Sequence, residues 1–425
     1  MDNPTTPPPA SDAAPRGGLS PKALVFILIG LSAVVLALIW WKGQGRERAR
    51  EALRAEWGAE VDVEPEGTGV TVVLNHESLT DLTPVAALLK TAGPVKTLDL
   101  SGSPKLASLR GVEGLDSLVS LIAIGCPELA SVDGVQGLPS LIEVVVPDSP
   151  ALTDLSGLKD LPALTNLDAS GSNRLTTVSL AALPGVQNLY LSRCEGLTSL
   201  DVAGAGGLRQ LFLEGCRALP EIGGLEQAAA LTDLDVSTCH ALKHLNGLDR
   251  LTLLVMLNVR NAAAVSNLAD IGKLTSLEGL QLGGRPELTD LSLLSGLNQL
   301  TELHVEGCEN LASLRGFPAS LTGFAAVVHC PALTSLEGIE RATGLERLDL
   351  SGCDRLADLT PLTQLGQLRE LNLAGCRAVV DPAIFGQLPA LEIVQLGGSG
   401  IPMARLIEMR KVRPEVIFDF TISEG

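Results

Sequence analysis

The side chains best equipped for chemistry in this 425-residue chain are its eight cysteines, and their spacing limits what they can do. Cys126, Cys194, Cys216, Cys239, Cys308, Cys330, Cys353 and Cys376 are separated by 22 or 23 residues or by a small multiple of these. A zinc site asks for ligands bunched as C-x-x-C or joined by nearby histidines, and no such bunch is present. The nearest approach, Cys239 with His240 and His244, falls in a loop after a strand-like segment rather than on a helix that would aim both imidazoles at one ion. No G-x-x-x-x-G-K-[ST] loop, H-E-x-x-H or G-x-S-x-G occurs. Paired carboxylates such as Asp233 and Asp235 recur so often in an acidic chain that a pair carries no catalytic weight. The expectation is a protein that is not an enzyme and uses no cofactor and no metal.

The elements that position the thiols follow from the same spacing. Filling the missing steps gives Ser103, Cys126, Ser149, Ser172, Cys194, Cys216, Cys239, Ala262, Arg285, Cys308, Cys330, Cys353, Cys376 and Ser399, which is 14 rungs at a mean interval of 22.8 residues. Such a column requires the chain to return to the same environment once per turn. Within a turn two periods coexist. In LERLDLSGCDRLADLTPLTQLGQ, Leu348 and Leu350 are two apart, the alternation of a strand, while Leu356, Leu359, Leu362, Leu365 and Leu368 recur every three residues, which suits tight turns or 3₁₀ segments. One unit cannot bury its leucines alone, so successive units must stack with their strands parallel. The column then lies in the turn interior, where a thiol acts as a small, weakly hydrogen-bonding filler. Stacked thiols point the same way, so disulfides between rungs would distort the ladder.

The segments LRELNLAGCRAV, LTELHVEGCENL and LRQLFLEGCRAL meet the pattern L-x-x-L-x-L-x-x-C/N-x-x-L, and over about residues 70 to 400 the chain resembles the leucine-rich-repeat family. The resemblance implies an α/β-type solenoid of about 14 repeats, with a curved parallel β-sheet on the concave face, short 3₁₀ or irregular segments on the convex side, and the binding of other macromolecules, most often proteins. Two departures stand out. Arg285 occupies a position that expects a small buried group, and LTGFAAVVHC carries one extra residue before Cys330, which suggests a bulge or register shift around 324–328.

Outward positions of the strands are where such a scaffold would act. The middle column reads Asp99, Ile122, Val145, Asp168, Tyr190, Phe212, Asp235, Asn258, Gln281, His304, Ala326 or a neighbour, Asp349, Asn372 and Gln395. Tyr190, the only tyrosine, and Phe212 should project side by side, and aromatics anchor interfaces well. The flanking columns contribute Glu143, Glu214, Asp233, Glu302, Glu306 and Glu370 against Arg260 and Arg347. Candidate partner-binding residues are therefore Tyr190, Phe212, Asp233, Asp235, Asn258, Arg260, Gln281, Glu302, His304, Glu306, Arg347 and Asp349. The acids could also serve only solubility and edge protection. With 49 acidic against 31 basic residues and a net charge of -18, nucleic acid is an unsuitable partner, whereas a protein with basic and apolar patches is attracted.

The ends are expected to differ from the body. Residues 1–22 are a Pro-rich tail too poor in apolar side chains to fold. Residues 23–41 lack charge over 19 positions, about 28 Å as a helix, and read as a single transmembrane span with Trp40, Trp41 and Lys42 at the interface. Five bases after the span against two before it place the body in the cytoplasm. Residues 42–58 read as a helical juxtamembrane stalk, 59–94 as an N-terminal cap with a degenerate first repeat, 95–400 as the repeats, and 401–425 as a closing helix and strand. The expectation is a membrane-anchored, protein-binding repeat scaffold; a structural or adhesive envelope protein with its repeats outside the membrane is the alternative.

Overall fold

The computed structural model describes residues 41–65, 68–266 and 268–421. Its body is a sheet of 17 strands. The first two, Glu60–Val63 and Val70–Val73, pair antiparallel, and every later neighbour pairs parallel from Val95–Asp99 to Ile417–Asp419. Alternation decides this arrangement: in most three-residue strands a central leucine or valine is buried and its neighbours face outward, as in Asn188–Tyr190 and Gln210–Phe212. A second, three-stranded sheet (Thr177–Ser179, Ser199–Asp201, Ile222–Gly223) runs along part of the return path. Further on, that path is made of 3₁₀ turns such as Leu248–Arg250, Ile339–Arg341 and Thr360–Gln364, which explains the three-residue leucine period. These returns are bulkier than a strand, so stacking them bends the sheet to the inner, concave side.

The column of small residues occupies one position throughout: each member lies five residues beyond a buried strand residue that is paired in register with those of neighbouring rungs. All eight cysteines are free and fully buried. Six of the thiols donate to a carbonyl of the preceding rung, among them Cys216 Sγ to Leu191 O (3.1 Å) and Cys376 Sγ to Leu350 O (3.0 Å). Serine is shorter, and at Ser149 and Ser172 the buried hydroxyl finds no partner among the described residues. The residue just before the column adopts a left-handed backbone in rung after rung, which is why glycine stands at Gly125, Gly215, Gly307, Gly352 and Gly375. Arg193, Thr238, Asn261 and His329 hold the same conformation with a side chain (φ 61°, 54°, 56° and 52°).

Arg285 is buried as expected, but it is not small. Nη2 donates to Val259 O at 3.0 Å, the carbonyl 26 residues back that a thiol takes elsewhere, and Nη1 reaches Val265 O at 3.0 Å. The preceding column member is Ala262, which leaves room for the guanidinium. Nε has no partner among the described residues. Burial lowers the pKa of this guanidinium from its ordinary value, with Glu287 pulling the other way.

Two expectations are corrected here. The strand Phe324–Val328 neither bulges nor slips: it pairs in register with Glu302–Glu306 on one side and with Arg347–Asp349 on the other. The extra residue is absorbed before it, in a bend at Gly323. The single-pass membrane placement, and with it the membrane as a partner, is also corrected, because no helix among the described residues is long and apolar enough to cross a membrane. Residues 1–40, including all but the last position of the apolar run 23–41, lie outside the described residues.

Residues 41–57 are helical, but the segment is not a free stalk. Leu53 and Ala49 are buried, Arg50 Nε donates to Ala92 O (2.7 Å) and Arg54 Nη2 to Val61 O (2.8 Å), so the helix covers the first strands. At the other end the helix Met403–Val412 buries Leu406, Phe418 packs 5.9 Å from Phe385, and Arg413 donates to the carbonyls of Phe385 and Leu388.

Candidate functional site

The strand face is built from three outward columns, and the structure sorts its residues into two regions. The first spans the strands Asn166–Asp168, Asn188–Tyr190, Gln210–Phe212 and Asp233–Asp235. Tyr190 and Phe212 stack with ring centroids 5.3 Å apart and planes 13° from parallel, close to the spacing of the strands that carry them. The Tyr190 hydroxyl donates to Gln210 Oε1 at 2.7 Å, tying the pair to the neighbouring column, where Asn188 Nδ2 donates to Asn166 Oδ1 at 2.6 Å. Burial, and then the charges of Asp168 and Asp233, raise the pKa of the Tyr190 phenol. None of these strand positions carries a base, and Asp168, Glu214, Asp233 and Asp235 make no ion pair among the described residues.

Several carboxylates of the middle column also have internal work. Asp168 Oδ1 accepts from Ser170 N (2.9 Å), Asp235 Oδ1 from Ser237 N (2.8 Å) and Asp349 Oδ1 from Ser351 N (2.8 Å), each closing the end of its own strand. Asn258 does the same for Arg260 N at 3.1 Å. Across rungs, Asn258 Nδ2 donates to Asp235 Oδ2 and Asn372 Nδ2 to Asp349 Oδ2, both at 2.9 Å. Asp233 Oδ2 accepts from Thr232 Oγ1 at 2.7 Å. Gln281 lies between Asn258 and His304 in register and bridges the two regions.

The second region, on the strands Glu302–Glu306, Phe324–Val328 and Arg347–Asp349, is internally satisfied. Glu302 Oε1 lies 2.8 Å from His304 Nε2, and Arg260 Nη1 meets Glu306 at 3.0 Å. His304 contacts the Phe324 ring edge-on at 5.0 Å, and the Arg347 guanidinium lies over the same ring at 5.5 Å. Beside them a shallow depression of about 230 Å³ is lined by Phe324, Arg347, Asp349, Glu370 and Asn372. Phe324 is absent from the candidates read from sequence. Counting six residues back from Cys330, as from Cys308 to Glu302 and from Cys353 to Arg347, would have found it; counting forward from Leu321 misses it because of the extra residue at the bend.

Among the described residues no group of three or more histidine, cysteine or acidic side chains could hold a metal ion, and His244 Nδ1 lies instead 2.9 Å from Ser266 Oγ. The buried thiols are poor nucleophiles: burial pushes Cys194 up to about 11 and Cys239 and Cys376 to about 12.

Neither the profiles of known protein families nor the sequences of curated proteins give a match. Solved structures do. A leucine-rich-repeat protein of Leptospira interrogans is similar over 87% of this chain and 98% of its own, with a TM-score of 0.53 and 20% identity. The internalin InlF of Listeria monocytogenes covers 87% of this chain and 94% of its own at a TM-score of 0.44 and 16% identity. The functional domain of InlJ from the same organism, described as including a cysteine ladder, covers 79% and 64% at 0.47 and 18%. The chain therefore has the leucine-rich-repeat solenoid fold.

Proposed function

We propose that this chain is a non-catalytic scaffold that holds a protein partner on its strand-lined concave face, chiefly through the rungs from Asn166 to Asp235. The observation that carries this reading is the Tyr190–Phe212 stack, standing on open sheet among carboxylates that no base neutralises. A stacked aromatic pair offers a large, stiff apolar area at small entropic cost, and the surrounding negative potential selects a partner with basic residues and speeds its encounter. The similarity to other leucine-rich-repeat structures supports the fold on which this reading rests, and the reading itself comes from the side chains.

A photo-crosslinking residue placed at Phe212, compared with one at the exposed Ser295 on the return path, tests the proposal. Protein adducts of defined mass are expected from position 212 and to be lost on adding Tyr190→Ala. Adducts formed only from position 295 would refute it.

A further inference from the structure

The geometry of the aromatic pair points to a more specific ligand: we infer that the first region has two notches, one on each side of the stack, each taking the guanidinium of an arginine in the partner. This rests on the proposed use of the strand face and deepens it. Because the two rings face each other along the row of strands, their remaining faces point along the same row, Tyr190 toward the rung of Asp168 and Phe212 toward the rung of Asp235. Aspartate is shorter than either ring. Each outer ring face therefore stands as a wall above a carboxylate floor, with Val145 closing the far side of one notch and Asn258 that of the other.

A planar cation fits such a space in two ways at once. It stacks on the ring, where the quadrupole attracts it, and donates to the carboxylate below. Both floors are preorganised. Asp168 is pinned by the backbone N–H of Ser170 and keeps its second oxygen open; Asp235 is pinned by the backbone N–H and hydroxyl of Ser237 on Oδ1 and by Asn258 Nδ2 on Oδ2, which leaves one lone pair of Oδ2 to accept from a guanidinium. Arginine suits the site better than lysine, whose compact ammonium cannot stack and pair in the same plane. The second region supplies a comparison within the same chain: there a ring of the same kind, Phe324, already carries a guanidinium, that of Arg347. The outward strand positions of the first region carry no base, and the partner brings it.

Spacing adds a constraint. Asp168 and Asp235 are three rungs apart, about 14 Å at roughly 4.8 Å per rung, and an extended peptide covers this in about four residues. The preferred partner segment therefore carries two arginines four positions apart, laid across the strands.

Tyr190 is the only tyrosine, so the full chain labelled with 3-fluorotyrosine reports on this site through a single fluorine resonance. The probes are a ten-residue peptide with two arginines four positions apart and versions with lysine or with uncharged citrulline at both. The arginine peptide should shift the resonance saturably and bind about tenfold more tightly than the lysine peptide, and the citrulline peptide should not bind. Asp168→Asn and Asp235→Asn keep the acceptor that caps each strand and should each weaken the arginine peptide about fivefold. No saturable shift, equal binding of the citrulline peptide, or indifference to both asparagine variants would overturn the inference. Crosslinking from position 212 that persists in that event would leave the broader reading standing, whereas its loss as well would remove both.

Discussion

The rungs from Asn166 to Asp235 and those from Glu302 to Asp349 both present aromatic rings and carboxylates on one continuous sheet, and they differ in where the charges are spent. In the second region Arg260, His304 and Arg347 each meet an acid or a ring of the same surface. In the first, two stacked rings sit among Asp168, Glu214, Asp233 and Asp235, none of which is ion-paired among the described residues. A surface that has neutralised itself gains little from a charged partner, because its own contacts must first be broken. An acidic surface left open gains both attraction and selectivity. The bases His304 and Arg347 on the strands of the second region, absent from those of the first, make the difference.

The comparison can be broken or sharpened by experiment, beginning with what the regions share. Both stand on the buried thiol column, in which Cys194, Cys239 and Cys376 ionise far less readily folded than unfolded, where a thiol has a pKa of about 8.5. Cys194 is held near 11, and Cys239 and Cys376 near 12, by burial. A raised folded pKa means that stability is fully present below about pH 8.5 and is lost as pH rises toward 11 to 12. At pH 10 each such thiol should cost about 2 kcal/mol, and the three together about 6. Urea denaturation at pH 8 and pH 10, with Cys239→Ala showing the smaller drop, checks this.

Arg285 joins the regions, filling the column between the run ending at Cys239 and the run starting at Cys308. Arg285→Ala should destabilise the chain by about 3–5 kcal/mol, since it leaves a cavity and removes the guanidinium donors from the carbonyls of Val265 and Val259, the latter keeping only Ala262 N. Denaturant unfolding is the measure, and the double variant Ala262→Cys, Arg285→Cys should recover most of the loss by restoring the thiol pattern.

For binding, Tyr190→Ala with Phe212→Ala should weaken the crosslinked partner about 100-fold, roughly 3 kcal/mol. Arg347→Ala, in the self-satisfied region, should change it by less than about threefold; calorimetric titration distinguishes them. An effect on stability without one on binding is expected at Thr238, a β-branched residue held at φ 54° beside the first region. Thr238→Gly should stabilise by about 1 kcal/mol in thermal unfolding and leave partner affinity unchanged.

Much of this was legible in the sequence because a repeat reports its geometry many times over. The thiol spacing locates the rungs, the leucine pair locates the strands, and the alternation places Tyr190 next to Phe212 from the sequence alone. What escaped is what a column cannot express. The closing of strand ends by Asp235 and Asp349 depends on backbone N–H directions, and the Arg260–Glu306 pair skips over the intervening Gly283. Phe324 was hidden by one residue at a bend, and Arg285 makes sense only together with Ala262 one rung away. The helix 41–57 reads as a stalk from composition because its contacts, with Ala92 and Val61, belong to another part of the chain.

Hydroxyl-radical footprinting of the full chain with and without its crosslinked partner compares the two regions most directly, since Tyr190, Phe212, His304 and Phe324 are all oxidisable reporters of side-chain access. The account predicts that Tyr190 and Phe212 become protected while His304 and Phe324 keep their free reactivity. Protection of His304 and Phe324 with Tyr190 and Phe212 unchanged would contradict it.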